Sequence, residues 1–196
     1  MGANSATNTT NNGVGSVAKF TPPASAGNAY TLQNFTTGPT SYPVEIGFDS
    51  SNNAWVTLQN SVVEFSNAGV QLGNFVSVAT NVPSGVMVDG LGRTVVSNGT
   101  NASYSTPGSL TVFSSNGTLL STANGSVGYL AGNTIPGEPF VPTGLAIDTS
   151  GNVWISGGNN LAAVPYQFVT ELIGIAAPII TPMTVQSSTN KYGQRP

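Results

Sequence analysis

Short alternations of apolar and polar residues, separated by turn-forming residues, run along most of the chain. In residues 142–156 the apolar side chains of Leu145 and Ile147 alternate with smaller residues, and an Asp-Thr-Ser-Gly-Asn cluster follows before residues 153–155 resume the apolar run. A period of two predicts a β-strand, and a cluster of Asp, Ser, Gly and Asn predicts a tight turn. We therefore predict two antiparallel strands joined by a turn that begins at Asp148.

The same hairpin pattern occurs three times in the chain. In each copy an aspartate follows a proline by six positions, and a tryptophan or valine follows the aspartate by six more. The matching positions are Pro43, Asp49 and Trp55, then Pro83, Asp89 and Val95, and finally Pro142, Asp148 and Trp154. This regularity indicates a repeated structural unit rather than three unrelated hairpins.

Two further strands belong to each repeat. The predicted third strands are residues 16–20, 61–65, 109–113 and 168–172, and the predicted fourth strands are residues 30–35, 70–75 and 118–120. Four antiparallel strands within roughly 40 residues are typical of a propeller blade. The sequence therefore predicts an all-β fold of β-propeller blades, with about three and a half four-stranded antiparallel blades.

The repeats divide the chain into an arm, a body and a tail. We predict a disordered or exchanged N-terminal arm at 1–15, propeller blades over 16–177 and a C-terminal tail at 178–196. Within the body, the divisions are a half blade at 16–40 and blades at 41–80, 81–140 and 141–177. Such an incomplete ring leaves apolar faces and strand edges uncovered. We therefore expect a homo-oligomer formed by strand or blade complementation, as a ring or as a filament.

Composition narrows the possible partners and the location. Only 6% of the residues are charged and the net charge is −3, which predicts neither nucleic-acid binding nor membrane insertion. The longest apolar run, residues 172–180, is too short to span a bilayer. A surface rich in Asn, Ser and Thr is typical of a secreted protein, so we expect an extracellular or cell-envelope location. The first residues do not have the pattern of a signal peptide.

The recurring aspartates, Asp49, Asp89 and Asp148, are candidate functional residues. Because each stands at the same turn of its repeat, we interpret all three as structural turn residues rather than as catalytic groups. Arg93 is expected to be an isolated surface charge. The chain contains neither histidine nor cysteine, which removes the commonest general base and zinc ligand and the thiolate nucleophile. We predict no catalytic residues, no metal site and no cofactor.

Glu45 is the sharper candidate for binding. It stands where the other repeats have Gly85 and Gly144, at the start of the strand that is expected to line the central channel. A carboxylate there can bind a cation or a sugar hydroxyl, and it can equally be a solvated group at the channel mouth.

Tyrosines and tryptophans supply the remaining candidates. Tyr104, Tyr129 and Tyr166 lie in three long insertions that fall on one face of the predicted propeller. A tyrosine has a flat apolar ring and a polar tip, which suit contact with a protein partner or a glycan. Trp55 and Trp154 occupy matching repeat positions, and we expect both in the core between blades.

The pattern Pro-x-Gly-Leu-Ala-x-Asp-x-x-Gly-Asn-x-Trp-Ile at 142–155 resembles the NHL-repeat and SMP-30-like β-propellers. With the tail, the chain is similar to the C-terminal part of large exported bacterial NHL-repeat proteins. The resemblance covers most of 41–196 and implies a fold shared by enzymes and scaffolds. Lactonases of this type place an acidic metal ligand where this chain has Val44, Ser84 and Thr143. Streptogramin-lyase-like propellers rely on a histidine that this chain lacks.

These observations favour a non-catalytic extracellular module for interaction or structure that self-associates through its open blade edges. Two alternatives remain open. The first is a metal-dependent enzyme of the lactonase or hydrolase kind, working in the channel around Glu45. The second is a carbohydrate-binding module that uses the tyrosines.

Overall fold

The computed structural model describes residues 2–4, 15–25, 27–38, 41–75, 82–99, 108–121, 141–159 and 166–178. Across these ranges all of the regular secondary structure is β-strand. The described residues contain no helix that is long and apolar enough to cross a bilayer. The strands are β1 (Gly2–Asn4), β2 (Gly15–Thr21), β3 (Thr31–Gly38), β4 (Ile46–Phe48), β5 (Ala54–Thr57), β6 (Val62–Phe65), β7 (Gln71–Phe75), β8 (Pro83–Val88), β9 (Thr94–Asn98), β10 (Ser109–Phe113), β11 (Val141–Ile147), β12 (Val153–Asn159) and β13 (Tyr166–Leu172).

These strands form four antiparallel sheets: sheet 1 (β1–β3), sheet 2 (β4–β7), sheet 3 (β8–β10) and sheet 4 (β11–β13). Strands that are consecutive in sequence are neighbours in each sheet, which is the arrangement that hairpin connections produce. The predicted all-β class is thus confirmed. Sheet 2 has the four strands expected of a complete repeat. In sheet 3, the predicted fourth strand is reduced to a single bridge between Phe113 and Leu119.

Sheet 1 contains a strand from the N-terminal arm. Residues 2–4 pair with residues 16–18 of β2, on the side of β2 opposite to β3. In sheet 2 the same position, beside the third strand, belongs to β5. The arm therefore supplies a short strand where the half blade would otherwise have no second strand. Residues 5–14 lie outside the described ranges, and the exchange of this arm stays a prediction.

In both sheet 2 and sheet 3, a side-chain hydroxyl on the second strand accepts a hydrogen bond from a backbone amide at or beside the first strand. Thr57 Oγ1 accepts a hydrogen bond from the amide of Glu45 at 3.0 Å, and Ser97 Oγ accepts one from the amide of Gly85 at 2.9 Å. A Cβ atom on Gly85 would lie 2.7 Å from Ser97 Oγ. Close approach of strand and hydroxyl thus favours glycine at position 85.

The four sheets stack in chain order, with a cluster of buried apolar side chains between each successive pair. Side chains alternate between the two faces of a sheet: Trp55 packs toward sheet 3, whereas its neighbour Val56 packs toward sheet 1. Val95 and Val96 of sheet 3 alternate in the same way. Because a fully buried Val or Phe contributes about 1.5–3 kcal/mol, these contacts between sheets are the main source of stability.

Aromatic rings contact each other across two of these boundaries. Phe35 of sheet 1 stacks on Phe65 of sheet 2 with ring centroids 5.9 Å apart, and Phe75 of sheet 2 packs against Phe113 of sheet 3 at 5.8 Å. Trp55 stacks on Phe75 at 5.1 Å. At each boundary, a ring from the last strand of one sheet meets a ring from the third strand of the next repeat.

At each of these two boundaries, a turn glycine lies directly against one of the rings. Gly69 and Gly117 precede the fourth-strand segments of their repeats, with φ angles of +84° and +79°. A Cβ on Gly69 would overlap the ring of Phe35, and one on Gly117 would overlap the ring of Phe75. Both the backbone conformation and the neighbouring ring therefore exclude a side chain at these two positions.

Candidate functional site

The three recurring aspartates cap their own turns. In each turn the aspartate Oδ1 accepts hydrogen bonds from the backbone amides two and four residues later, at 2.8–3.0 Å. The aspartates are Asp49, Asp89 and Asp148. This is the local pattern by which an Asp side chain stabilises a turn. The sequence folds into this hairpin because the aspartate supplies the acceptor.

The three turns differ in the partners of the second carboxylate oxygen, Oδ2. Asp148 Oδ2 accepts hydrogen bonds from Asn152 Nδ2 at 3.0 Å and from Trp154 Nε1 at 3.1 Å. Hydrogen bonds from Asn152 and Trp154 hold the pKa of Asp148 below its ordinary value. Asp49 makes the equivalent contacts, with Asn53 Nδ2 at 3.0 Å and Trp55 Nε1 at 3.5 Å. In these two turns the carboxylate therefore also orients the indole.

Asp89 instead forms an ion pair and holds the end of the described chain. Its Oδ2 lies 2.7 Å from Arg93 Nη2, and it accepts a hydrogen bond from the Ala177 amide at 2.9 Å. Arg93 Nη2 also donates to the carbonyl of Ile175. The expectation that Arg93 is an isolated surface charge is therefore wrong, because the arginine bridges a buried carboxylate and a distant backbone segment.

Residues 175–178, here called the strap, tie sheet 4 to sheet 3. The Ala176 amide donates to the carbonyl of Gly151 in sheet 4 at 3.1 Å, and the Gly90 amide in sheet 3 donates to the carbonyl of Ala177 at 3.2 Å. Ala176 itself is buried in the cluster between these two sheets. Asp89 is thus an anchor between repeats as well as a turn residue.

Acidification tests this anchor. Burial alone would raise the pKa of Asp89, but hydrogen bonds from Ala177 and Arg93 outweigh it and hold the pKa below the ordinary 3.8. The ionised form is therefore favoured by folding, so its contribution is present above pH 3.8 and is lost as pH falls through the folded-state pKa. We expect Asp89→Asn to lose roughly 1.5–3 kcal/mol at pH 7, and less at pH 2.

Urea unfolding of wild type and Asp89→Asn at pH 7, 5, 3 and 2 measures this difference. Asp49→Asn is the matched control, because the Oδ2 of Asp49 has only neutral partners. A difference between wild type and Asp89→Asn that stays constant down to pH 2 would contradict the ionic role of Asp89.

Glu45 and Glu64 are carboxylates that lie outside the three turns. The carboxylate of Glu45 lies between sheets 2 and 3, with Oε2 3.3 Å from the place of a Cβ on Gly85, and burial raises its pKa. Glu64 accepts a hydrogen bond from Asn53 at 3.0 Å. Burial, and then the charge of Asp49, raise the pKa of Glu64. The described residues contain no group of three or more Asp, Glu, His or Cys side chains that could hold a metal ion.

Two of the three tyrosine candidates fall outside the described residues. Tyr104 and Tyr129 lie outside the described residues, and Tyr166 is described only as the first residue of β13, paired with Asn159. The predicted roles of these tyrosines and of Glu45 in binding stay predictions.

The two ends of the stack present exposed apolar faces, which the sequence reasoning did not assign to residues. In sheet 1, Val17 and Phe35 pack toward sheet 2, so their strand neighbours point away. We call this opposite surface the outer face of sheet 1; it carries Ala18, Phe20 and Leu32. Phe20 is 59% exposed and Leu32 is 52% exposed.

The outer face of sheet 4 is the matching surface at the other end. Val153 and Ile155 pack toward sheet 3, so the side chains between them in the alternation point away. Register pairing places Trp154 beside Ala146 and Glu171, and Ser156 beside Val169. Trp154 is 38% exposed and Val169 is 68% exposed.

The exposed aromatic residues of the two outer faces have buried counterparts in other repeats. Trp154 matches Trp55, which is 1% exposed, and Phe20 matches Phe65 and Phe113, which are both buried. The expectation that Trp154 lies in the core between blades is wrong for the described chain, because no described sheet follows sheet 4. The end faces are therefore surfaces of the kind that the interior boundaries bury.

Comparison with solved structures identifies the architecture. A catalytically inactive virginiamycin B lyase from Staphylococcus aureus with quinupristin aligns at a TM-score of 0.52 and 12% identity, over 85% of this chain and 54% of that chain. A streptogramin B lyase structure aligns at 0.51 and 14% identity, over 92% and 54%. A gluconolactonase from Xanthomonas campestris aligns at 0.45 and 16% identity, over 83% and 55%.

At these identities the likeness shows the fold alone, and the fold is of the β-propeller type. This chain spans about half the length of these solved structures. No protein-family model matches the sequence, and no curated protein gives a significant match.

Proposed function

We propose that this chain is a non-catalytic extracellular propeller module, of the NHL-repeat kind, that self-associates through the outer faces of its first and last sheets. The observation that carries the proposal is the contrast between Trp55 and Trp154. The two residues hold the same place in the repeat, yet one is buried between sheets and the other is 38% exposed. A surface built as a boundary between sheets, and left uncovered, is a site of association.

The chemistry of the end faces supports association by burial of apolar area rather than by charge. The described residues of the outer face of sheet 1 carry no charge, and on the outer face of sheet 4 the carboxylate of Glu171 is occupied by a hydrogen bond from Asn152 at 2.8 Å. The equivalent glutamate in sheet 2, Glu64, is tolerated at an interior boundary with the same asparagine contact. Association of this type is only weakly sensitive to salt.

Two of the commonest catalytic residue types are missing from this sequence. The entire sequence contains no histidine and no cysteine, and the three recurring aspartates are held in their own turns by backbone amides. The solved lyase at 12% identity is described as inactive after replacement of a histidine by alanine. These points support a structural role over hydrolysis or elimination, and the low proportion of charged residues supports an extracellular location.

Light scattering of the purified chain over a range of concentrations tests the proposal. We expect a mass of at least twice that of one chain, and a shift toward the single-chain mass for Trp154→Ser. Leu91→Ser is the matched control, because Leu91 is exposed in a turn of sheet 3 and belongs to neither outer face. A single-chain mass at every concentration for the wild type would refute self-association.

A further inference from the structure

The boundaries between sheets have a direction. At the second-strand position of each repeat, the residue equivalent to Trp55 packs toward the following sheet, and the next residue packs toward the preceding one. Val95 and Val96 obey this rule in sheet 3, and Ile155 obeys it in sheet 4. All three boundaries therefore bring a following face of one sheet against a preceding face of the next.

The two ends of the stack expose one face of each kind. Sheet 4 presents a following face, marked by Trp154, and sheet 1 presents a preceding face, marked by Phe20. Contact between two identical ends would place two faces of the same kind together, which occurs at no boundary between the described sheets. Contact between sheet 4 of one copy and sheet 1 of another would continue the order seen at all three boundaries.

Sheet 1 also has one half of the aromatic contact seen inside the stack. At the interior boundaries a ring from the preceding sheet lies over a turn glycine, Gly69 or Gly117. The longer connection between the same two strands of sheet 1 also contains a glycine with positive φ, Gly27 at +89°, and no described atom lies within 4 Å of the place of its Cβ. Phe20 holds the repeat position of Phe65, but it is 59% exposed and stacks on no aromatic ring of the described residues. The outer face of sheet 1 thus exposes the ring that the interior boundaries cover.

We infer that the outer face of sheet 4 of one copy binds the outer face of sheet 1 of a second copy, with Trp154 packed against Phe20 and Leu32. This inference rests on the proposed function and adds the pairing and polarity of the contact. A contact between two different surfaces of the same chain either closes into a ring or propagates as a filament. A ring closed by two copies would contain eight sheets, four from each copy. This number lies in the size range of known propellers.

Cysteine cross-linking tests which outer face meets which. The chain contains no cysteine of its own, so only the introduced cysteines react. Leu32→Cys marks the outer face of sheet 1, Val169→Cys marks the outer face of sheet 4, and both positions are exposed. Each variant is treated with a short bismaleimide alone and in an equimolar mixture, at a concentration where light scattering finds the assembled form. Leu91→Cys, mixed with each, is the control.

Cross-linked pairs are expected in the mixture of Leu32→Cys and Val169→Cys, with only background reaction in each variant alone and in the Leu91→Cys mixtures. Equal cross-linking within the single variants would mean that like faces meet, and would overturn the inference while leaving self-association intact. Assembly by light scattering without cross-linked pairs in any sample would also overturn it. Failure of the proposed function is distinguishable, because the wild type would then have the mass of one chain.

Discussion

Replacement of Trp55 by alanine is expected to lower the free energy of unfolding by about 3–5 kcal/mol, the range for truncation of a large buried aromatic. The indole is 1% exposed, stacks on Phe75 at a centroid distance of 5.1 Å and packs against Val86 and Val96 of the next sheet. Truncation would leave a cavity at the boundary between sheets 2 and 3. Urea unfolding followed by circular dichroism measures the loss.

Trp154→Ala is the matched control for Trp55→Ala, because the two tryptophans hold the same repeat position. The indole of Trp154 makes the same kind of hydrogen bond to its turn aspartate, but no sheet of the described residues packs on its outer side. At concentrations low enough to keep the chain monomeric, its removal is expected to cost clearly less than the removal of Trp55. Equal losses for the two variants would show that the buried position of Trp55 does not stabilise the fold as we argue.

Gly117→Ala has the second large expected effect. At a φ of +79° an alanine costs about 1–2 kcal/mol in backbone strain. Its Cβ would also overlap the ring of Phe75, which is held between Trp55 and Phe113 and has little room to move. Overpacking of this kind adds roughly 1–3 kcal/mol. We therefore expect Gly117→Ala to be strongly destabilised in thermal or urea unfolding.

Gly27→Ala separates the two causes of this loss. Gly27 has a similar φ of +89°, but no described atom stands within 4 Å of the place of its Cβ. In a monomeric sample Gly27→Ala should carry only the backbone strain, and should therefore be more stable than Gly117→Ala. Equal destabilisation of the two variants would show that the contact with Phe75 adds nothing to the loss.

The repeat pattern was sufficient for most strands, because a similar short run of β-branched and aromatic residues recurs in each repeat and ends at a turn signal. The apolar pattern in residues 61–65 predicts a third strand, and β6 spans Val62–Phe65; the pattern in residues 70–75 predicts a fourth, and β7 spans Gln71–Phe75. The turn aspartates were recognisable for the same reason. Their side chains act on amides only two and four residues away, so local sequence contains the whole interaction.

Features that depend on residues far apart in sequence could not be predicted in this way. The strand Gly2–Asn4 has no apolar pattern, and only its pairing with β2 makes it a strand. Arg93 looks like a lone charge until the strap brings the carbonyl of Ile175 to it, 82 residues along the chain. The exposure of Trp154 depends on its place at the end of the stack. In the repeat pattern alone, Trp154 and Trp55 are indistinguishable.

The direction shared by all three boundaries has a consequence for how such a chain can change in evolution. Every sheet in this stack offers the same two kinds of face, so duplication or deletion of one whole repeat would leave the chemistry of both ends unaltered. A lineage could then lengthen or shorten the protein by units, and alter the diameter of a closed assembly, without first inventing a new contact. Stability would vary in steps with the number of repeats, as it does in other modular arrays.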